Sequence, residues 1–74
     1  MKNMYVAVIE HRITGQQVIA FHEDNRTDAG SRFLGMTDQF DTRNGLLHEV
    51  SPDTRTPSVI IAERVDGEFR MLKR

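Results

Sequence analysis

One stretch constrains this chain more than any other: Val59-Ile60-Ile61-Ala62-Glu63-Arg64-Val65, then Asp66-Gly67, then Glu68-Phe69-Arg70-Met71-Leu72. An Asp-Gly pair between two apolar runs is a favoured two-residue hairpin turn, because both central residues need positive φ. The turn fixes a register. Val65 faces Glu68, Arg64 faces Phe69, and Glu63 faces Arg70 as a cross-strand ion pair. With regular alternation, Val59, Ile61, Val65 and Leu72 share one face, and Ile60, Ala62, Phe69 and Met71 the other.

The N-terminal segment repeats this pattern. Met4 to Arg12 is rich in β-branched and aromatic residues, Thr14-Gly15 signals a turn, and Gln17 to His22 is again β-rich. A two-residue loop pairs His11 with Val18, Ile9 with Ala20 and Ala7 with His22. Met4, Val6, Val8, Ile19 and Phe21 then lie on the opposite side. A three-residue loop shifts the pairing by one and regroups the faces of the second strand.

Between the hairpins, Glu23 to Asp28 is a polar break rich in helix-capping residues. Asn25 or Thr27 is the expected cap, with Asp28 well placed for the helix dipole. Ala29, Phe33, Met36 and Phe40 then recur at helical spacing, within an arc of about 60°. Gly30 and Gly35 weaken this helix by roughly 1 kcal/mol each relative to Ala, so packing must hold it. Gly35 can also end a first helix, with Thr37 capping a second. Asn44-Gly45 is the expected stop, with Arg43 in the last turn. Leu46 to Val50 fits either an edge strand or more helix, and Ser51 to Pro57 reads as a loop. The expected fold is α+β: an antiparallel β-sheet of four or five strands (ββαββ or ββαβββ) with one helix packed on one face. Residues 1–74 form a single domain.

A chain of 74 residues buries little core. Without cysteine it has no disulfide, thiolate metal site or thiol nucleophile. Self-association, as a homodimer, is the remaining means of support. With 10 Lys+Arg against 11 Asp+Glu, the net charge of −1 gives no bulk argument for nucleic acid or a membrane surface. The N-terminus runs straight into a strand pattern, and no apolar run approaches the length of a membrane span. The expected location is cytoplasmic.

Three histidines adjoin glutamates, as Glu10-His11, His22-Glu23 and His48-Glu49. Neighbours in a strand point to opposite faces, so each pair divides rather than cooperates. In the two-residue register His11 and His22 share a face but stand ~13 Å apart, too far for one metal ion. Asp38 and Asp41 are three residues apart on a solvated helix face. No nucleophile elbow, phosphate loop, dinucleotide fingerprint or zinc-protease motif occurs. No cofactor, no metal and no enzymatic activity are expected.

Two binding surfaces are candidates. Apolar residues occur on both sides of each hairpin, yet one helix can cover only one face. Tyr5, Ala7, Ile9, Val18 and Ala20 are therefore the candidate protein interface. Arg64, Phe69, Arg70, Lys73 and Arg74 are the candidate nucleic-acid patch, a cationic and aromatic combination.

The opening Met1-Lys2-Asn3-Met4-Tyr5-Val6-Ala7-Val8-Ile9, the run Ile19-Ala20-Phe21-His22 and the helix bearing Ala29 and Phe33 together resemble many small phage- and prophage-encoded proteins. The resemblance covers about half the chain and rests on general pattern. It implies an accessory or inhibitory protein that acts by binding host or phage macromolecules.

Overall fold

A computed structural model describes residues 2–11, 13–40, 42–53 and 55–72. The elements are β1 (Asn3–His11), β2 (Gly15–Glu23), α1 (Arg26–Gln39), β3 (Gly45–Val50), β4 (Val59–Val65) and β5 (Glu68–Met71). All pairings are antiparallel, in the order β2-β1-β3-β4-β5. The helix packs on one face, so the fold is the α+β sheet-and-helix arrangement expected from the sequence, with five strands.

The terminal hairpin forms as its turn dictates. Asp66 and Gly67 have φ of 52° and 87°, and Glu63 pairs with Arg70, Arg64 with Phe69 and Val65 with Glu68. Its faces do not alternate as expected. Leu47 pairs with Ala62 but His48 pairs with Ile60, so Ile61 is an extra residue in β4, a β-bulge. Ile61 and Ala62 are both fully buried as a result. Val59 and Ile61 pack on the helix side, with Ala62, Phe69 and Met71.

The first hairpin departs from the two-residue register. His11 pairs with Gly15, which leaves three residues between them, and the ladder runs Ile9–Gln17, Val8–Val18, Ala7–Ile19 and Tyr5–Phe21. Gly15 has φ of 81° and closes the loop instead of lying at its centre. The His11 ring anchors it: Nδ1 accepts from the Ile13 and Thr14 amides at 3.1 and 3.2 Å. Val18, not Ile19, therefore shares a face with Val8.

Asn25 caps the helix, its side chain accepting from the Asp28 amide at 2.8 Å. The helix runs unbroken through Gly35 and ends at Phe40. Asn44-Gly45 is not its stop, because Gly45 opens β3, and Arg43 lies beyond the last turn. Arg43 serves the hairpin turn: its carbonyl accepts from the Gly67 amide at 2.9 Å, and its guanidinium donates to the Asp66 carbonyl at 3.0 Å. The Leu46–Val50 segment is strand, paired on both sides.

The core lies between helix and sheet. Tyr5, Ala7 and Ile9 of β1, Phe21 of β2, Leu47 of β3, and Ile61 and Ala62 of β4 meet Ala29 and Phe33 of the helix. Tyr5 stacks on Phe21 at 5.8 Å, and Phe33 meets Phe69 at 6.3 Å. Full burial of each large apolar side chain contributes roughly 1.5–3 kcal/mol.

Candidate functional site

β1 fixes the sidedness of the whole sheet. Its odd residues enter the core, so Met4, Val6, Val8 and Glu10 point away from the helix. Their cross-strand neighbours follow. Val8 stands between Val18 and Leu46, Val6 between Ala20 and His48, and Met4 between His22 and Val50. Ile60 extends the second of these rows beyond His48. The result is an apolar field continuous over β2, β1 and β3, which reaches Ile60 of β4 across His48 and has no helix over it. Val18 is 65 % exposed, Val65 49 %, Met4 39 % and Leu46 36 %. Glu10, Gln16, Glu63, Glu68 and Arg70 rim one end, and a shallow concavity of about 240 Å3 lies there beside Val8, Leu46 and Val65. His22 and Lys2 rim the other.

The expected interface is divided by this geometry. Tyr5, Ala7 and Ile9 are fully buried under the helix, whereas Val18 and Ala20 lie on the open face. The apolar surface is real but is built by Met4, Val6, Val8 and Leu46 with Val18 and Ala20. A three-residue loop was the alternative that groups the even-numbered residues of both strands on one face, and its position over residues 12–14 is what puts Val8 opposite Val18.

The cationic patch does not assemble among the described residues. Arg64 is turned under the sheet. It donates from Nε to the Gly67 carbonyl at 3.1 Å and from Nη1 to the Thr37 hydroxyl at 2.7 Å, and it pairs with Asp38. Phe69 packs against the core beside Phe33. Arg70 points to the opposite, open face, cross-strand from Glu63. Lys73 and Arg74 lie outside the described residues, as does Asp41 of the Asp38–Asp41 pair.

His11 and His22 fall on different faces once the register shifts, His11 edge-on to Phe40 at 5.7 Å and His22 on the open face. Among the described residues no group of three or more His, Asp or Glu side chains is placed to hold a metal ion. Among the same residues no helix is long and apolar enough to cross a membrane.

One polar cluster sits on the helix side. Arg26 grips Glu49 with two bonds, at 3.0 and 2.9 Å. This grip holds the Glu49 carboxyl below the usual carboxylate range against the opposing effect of its partial burial. Burial raises the pKa of the Tyr5 phenol, and the neighbouring Glu49 carboxylate adds to that. Asn3 approaches the phenol at 3.5 Å. The Arg26–Glu49 pair makes the cluster a tie between helix and sheet.

No protein-family model, curated protein or solved structure matches this chain. The open face offers exposed aliphatic groups on a rigid sheet, with charge confined to the margins.

Proposed function

We propose that this chain is a small non-catalytic protein-binding module whose working surface is the open face of its sheet. The observation that carries this reading is the aliphatic field formed by Met4, Val6, Val8, Val18, Ala20, Leu46 and Val50 over three strands, with Ile60 of β4 joined to it across His48. Surfaces of this kind mark protein interaction sites on small soluble domains. A sheet face is also stiff, so binding orders little besides side chains, which lowers the entropic penalty of association.

The test is the double variant Met4→Lys, Leu46→Lys. Neither residue belongs to the buried core, so thermal unfolding should stay close to that of the native chain. Capture by the immobilised native chain of a protein that the folded variant no longer retains supports the reading. Identical capture by both chains overturns it.

A further inference from the structure

The two edges of this sheet are treated very differently. β5 is four residues long and carries Glu68 and Arg70. β2 is nine residues long and has neither charge nor proline from Gly15 to His22. Exposed edges are normally blunted by short length, charge, proline or a covering element. β2 has such protection at one end. There Arg32 lies 5.3 Å over the Phe21 ring, pairs with Glu23 at 2.8 Å, and reaches the His22 carbonyl at 3.4 Å.

The direction of the backbone groups can be derived. The Glu10 amide donates to the Asn44 carbonyl at 3.1 Å, on the β3 side of β1. In an antiparallel strand successive residues direct their N–H and C=O to opposite neighbours. Even-numbered residues of β1 therefore bond β3, and odd-numbered ones bond β2. Tyr5 pairs with Phe21 and Ala7 with Ile19, so the odd residues of β2 are occupied. Gln16, Val18, Ala20 and His22 direct their backbone groups to the free edge. The Arg32 contact with the His22 carbonyl agrees, and it leaves Gln16, Val18 and Ala20 open.

We propose that a second copy of this chain occupies this edge, β2 against β2, antiparallel about a two-fold axis at Val18. This register matches the open positions to one another: Val18 to Val18, and Gln16 to Ala20 in both directions. It forms on the order of six backbone hydrogen bonds. It leaves Arg32 undisturbed, because the Phe21 that it covers comes opposite Gly15, which has no side chain to obstruct it. Ile19 comes opposite Gln17, and no two like charges meet. The contact is isologous and closes on itself. It joins two five-stranded sheets into one and makes their open faces continuous. This pairing does not depend on what binds the open face.

Sedimentation equilibrium from micromolar to millimolar chain tests it, with amide exchange read residue by residue. A reversible dimer is expected, with exchange at Gln16, Val18 and Ala20 slowing as concentration rises. Val18→Pro removes the amide at the axis, and edge strands tolerate proline. Val18→Lys keeps the amide but sets two like charges together at the axis. Each should weaken the dimer roughly tenfold or more, a difference of about 1.4 kcal/mol. Leu46→Lys, on the open face but away from the edge, should leave it unchanged. A chain monomeric throughout, or a dimer indifferent to both Val18 variants, overturns the proposal. So does a dimer lost with Leu46→Lys, which would mean face-to-face docking. So does edge protection that appears only when another protein is added. Loss of the edge dimer would leave the open-face reading standing, because the Met4 and Leu46 variants test that face separately.

Discussion

Arg64 donates to the Thr37 hydroxyl at 2.7 Å across the helix–sheet boundary. The arginine is 16 % exposed at its side chain, and Thr37 is fully buried and donates in turn to the Leu34 carbonyl at 2.9 Å. One cation thus ties the end of the helix to the turn of the terminal hairpin. Thr37→Val keeps the shape and removes the acceptor. It should cost about 1–2 kcal/mol, seen as a lower urea midpoint with an unchanged slope.

Two glycines should respond to alanine with opposite signs. A methyl group at Gly35 meets nothing within 4 Å, and its φ is not positive. Gly35→Ala should stabilise by roughly 0.5–1 kcal/mol through helix propensity. A methyl at Gly45 meets Ile9 at 3.1 Å, the Phe33 ring at 3.2 Å and the Val8 carbonyl at 3.2 Å. Gly45→Ala should destabilise by about 1–3 kcal/mol. Paired thermal melts decide both.

Asn25 closes the first turn of the helix by accepting from the Asp28 amide at 2.8 Å. Asn25→Ala leaves that amide without its side-chain partner and should cost about 1 kcal/mol. Asn25→Gly should cost only a few tenths of that unit, since glycine is itself an acceptable cap.

Glu49 and Tyr5 give stability opposite pH limbs. The folded Glu49 pKa lies below its unfolded value because Arg26 bonds the carboxylate. Its contribution is present above the unfolded pKa, near 4.5, and is lost as pH falls through the folded one. Arg26 is 42 % exposed at its side chain, so the solvent-screened contribution is below about 1 kcal/mol. Burial raises the Tyr5 pKa above its ordinary 10.0. The fold favours the neutral phenol, so stability falls as pH rises from about 10. Glu49→Gln should flatten the acid limb and also lessen the alkaline one, because the carboxylate contributes to the Tyr5 shift. Tyr5→Phe should remove the alkaline limb and keep most of the acid one, which rests first on Arg26, measured by denaturant unfolding across pH.

The parts of this fold legible in the sequence are those with a local physical cause. Asp66-Gly67 admits one common turn and so fixed the Glu63–Arg70 pairing. Asn25 and the Ala29–Phe33 spacing located the helix. Two features escaped for reasons that can be named. Thr14-Gly15 resembles the centre of a two-residue turn, but the positive φ of Gly15 closes a three-residue loop. The loop is also centred on Ile13, so the pairing moved by three residues, Ile9 facing Gln17 instead of Ala20, and this odd shift moved Val18 and Ala20 away from Ile9 and Ala7. The bulge at Ile61 sits within Ile60-Ile61-Ala62, where all side chains are apolar, so no polar residue marks the change of phase. Both features are set by long-range pairing with β1 and β3, and both decide which residues form the open face.

The bulge also has a consequence for chain length. Elsewhere in these strands, losing one residue would turn the remainder of the strand inside out. At Ile61 it would not. The neighbours Ile60 and Ala62 already pair with successive residues of β3, so excising Ile61 would restore a regular ladder and keep every flanking side chain on its present side. The domain therefore contains a site where it can change length at the expense of one core side chain, with its inner and outer surfaces preserved.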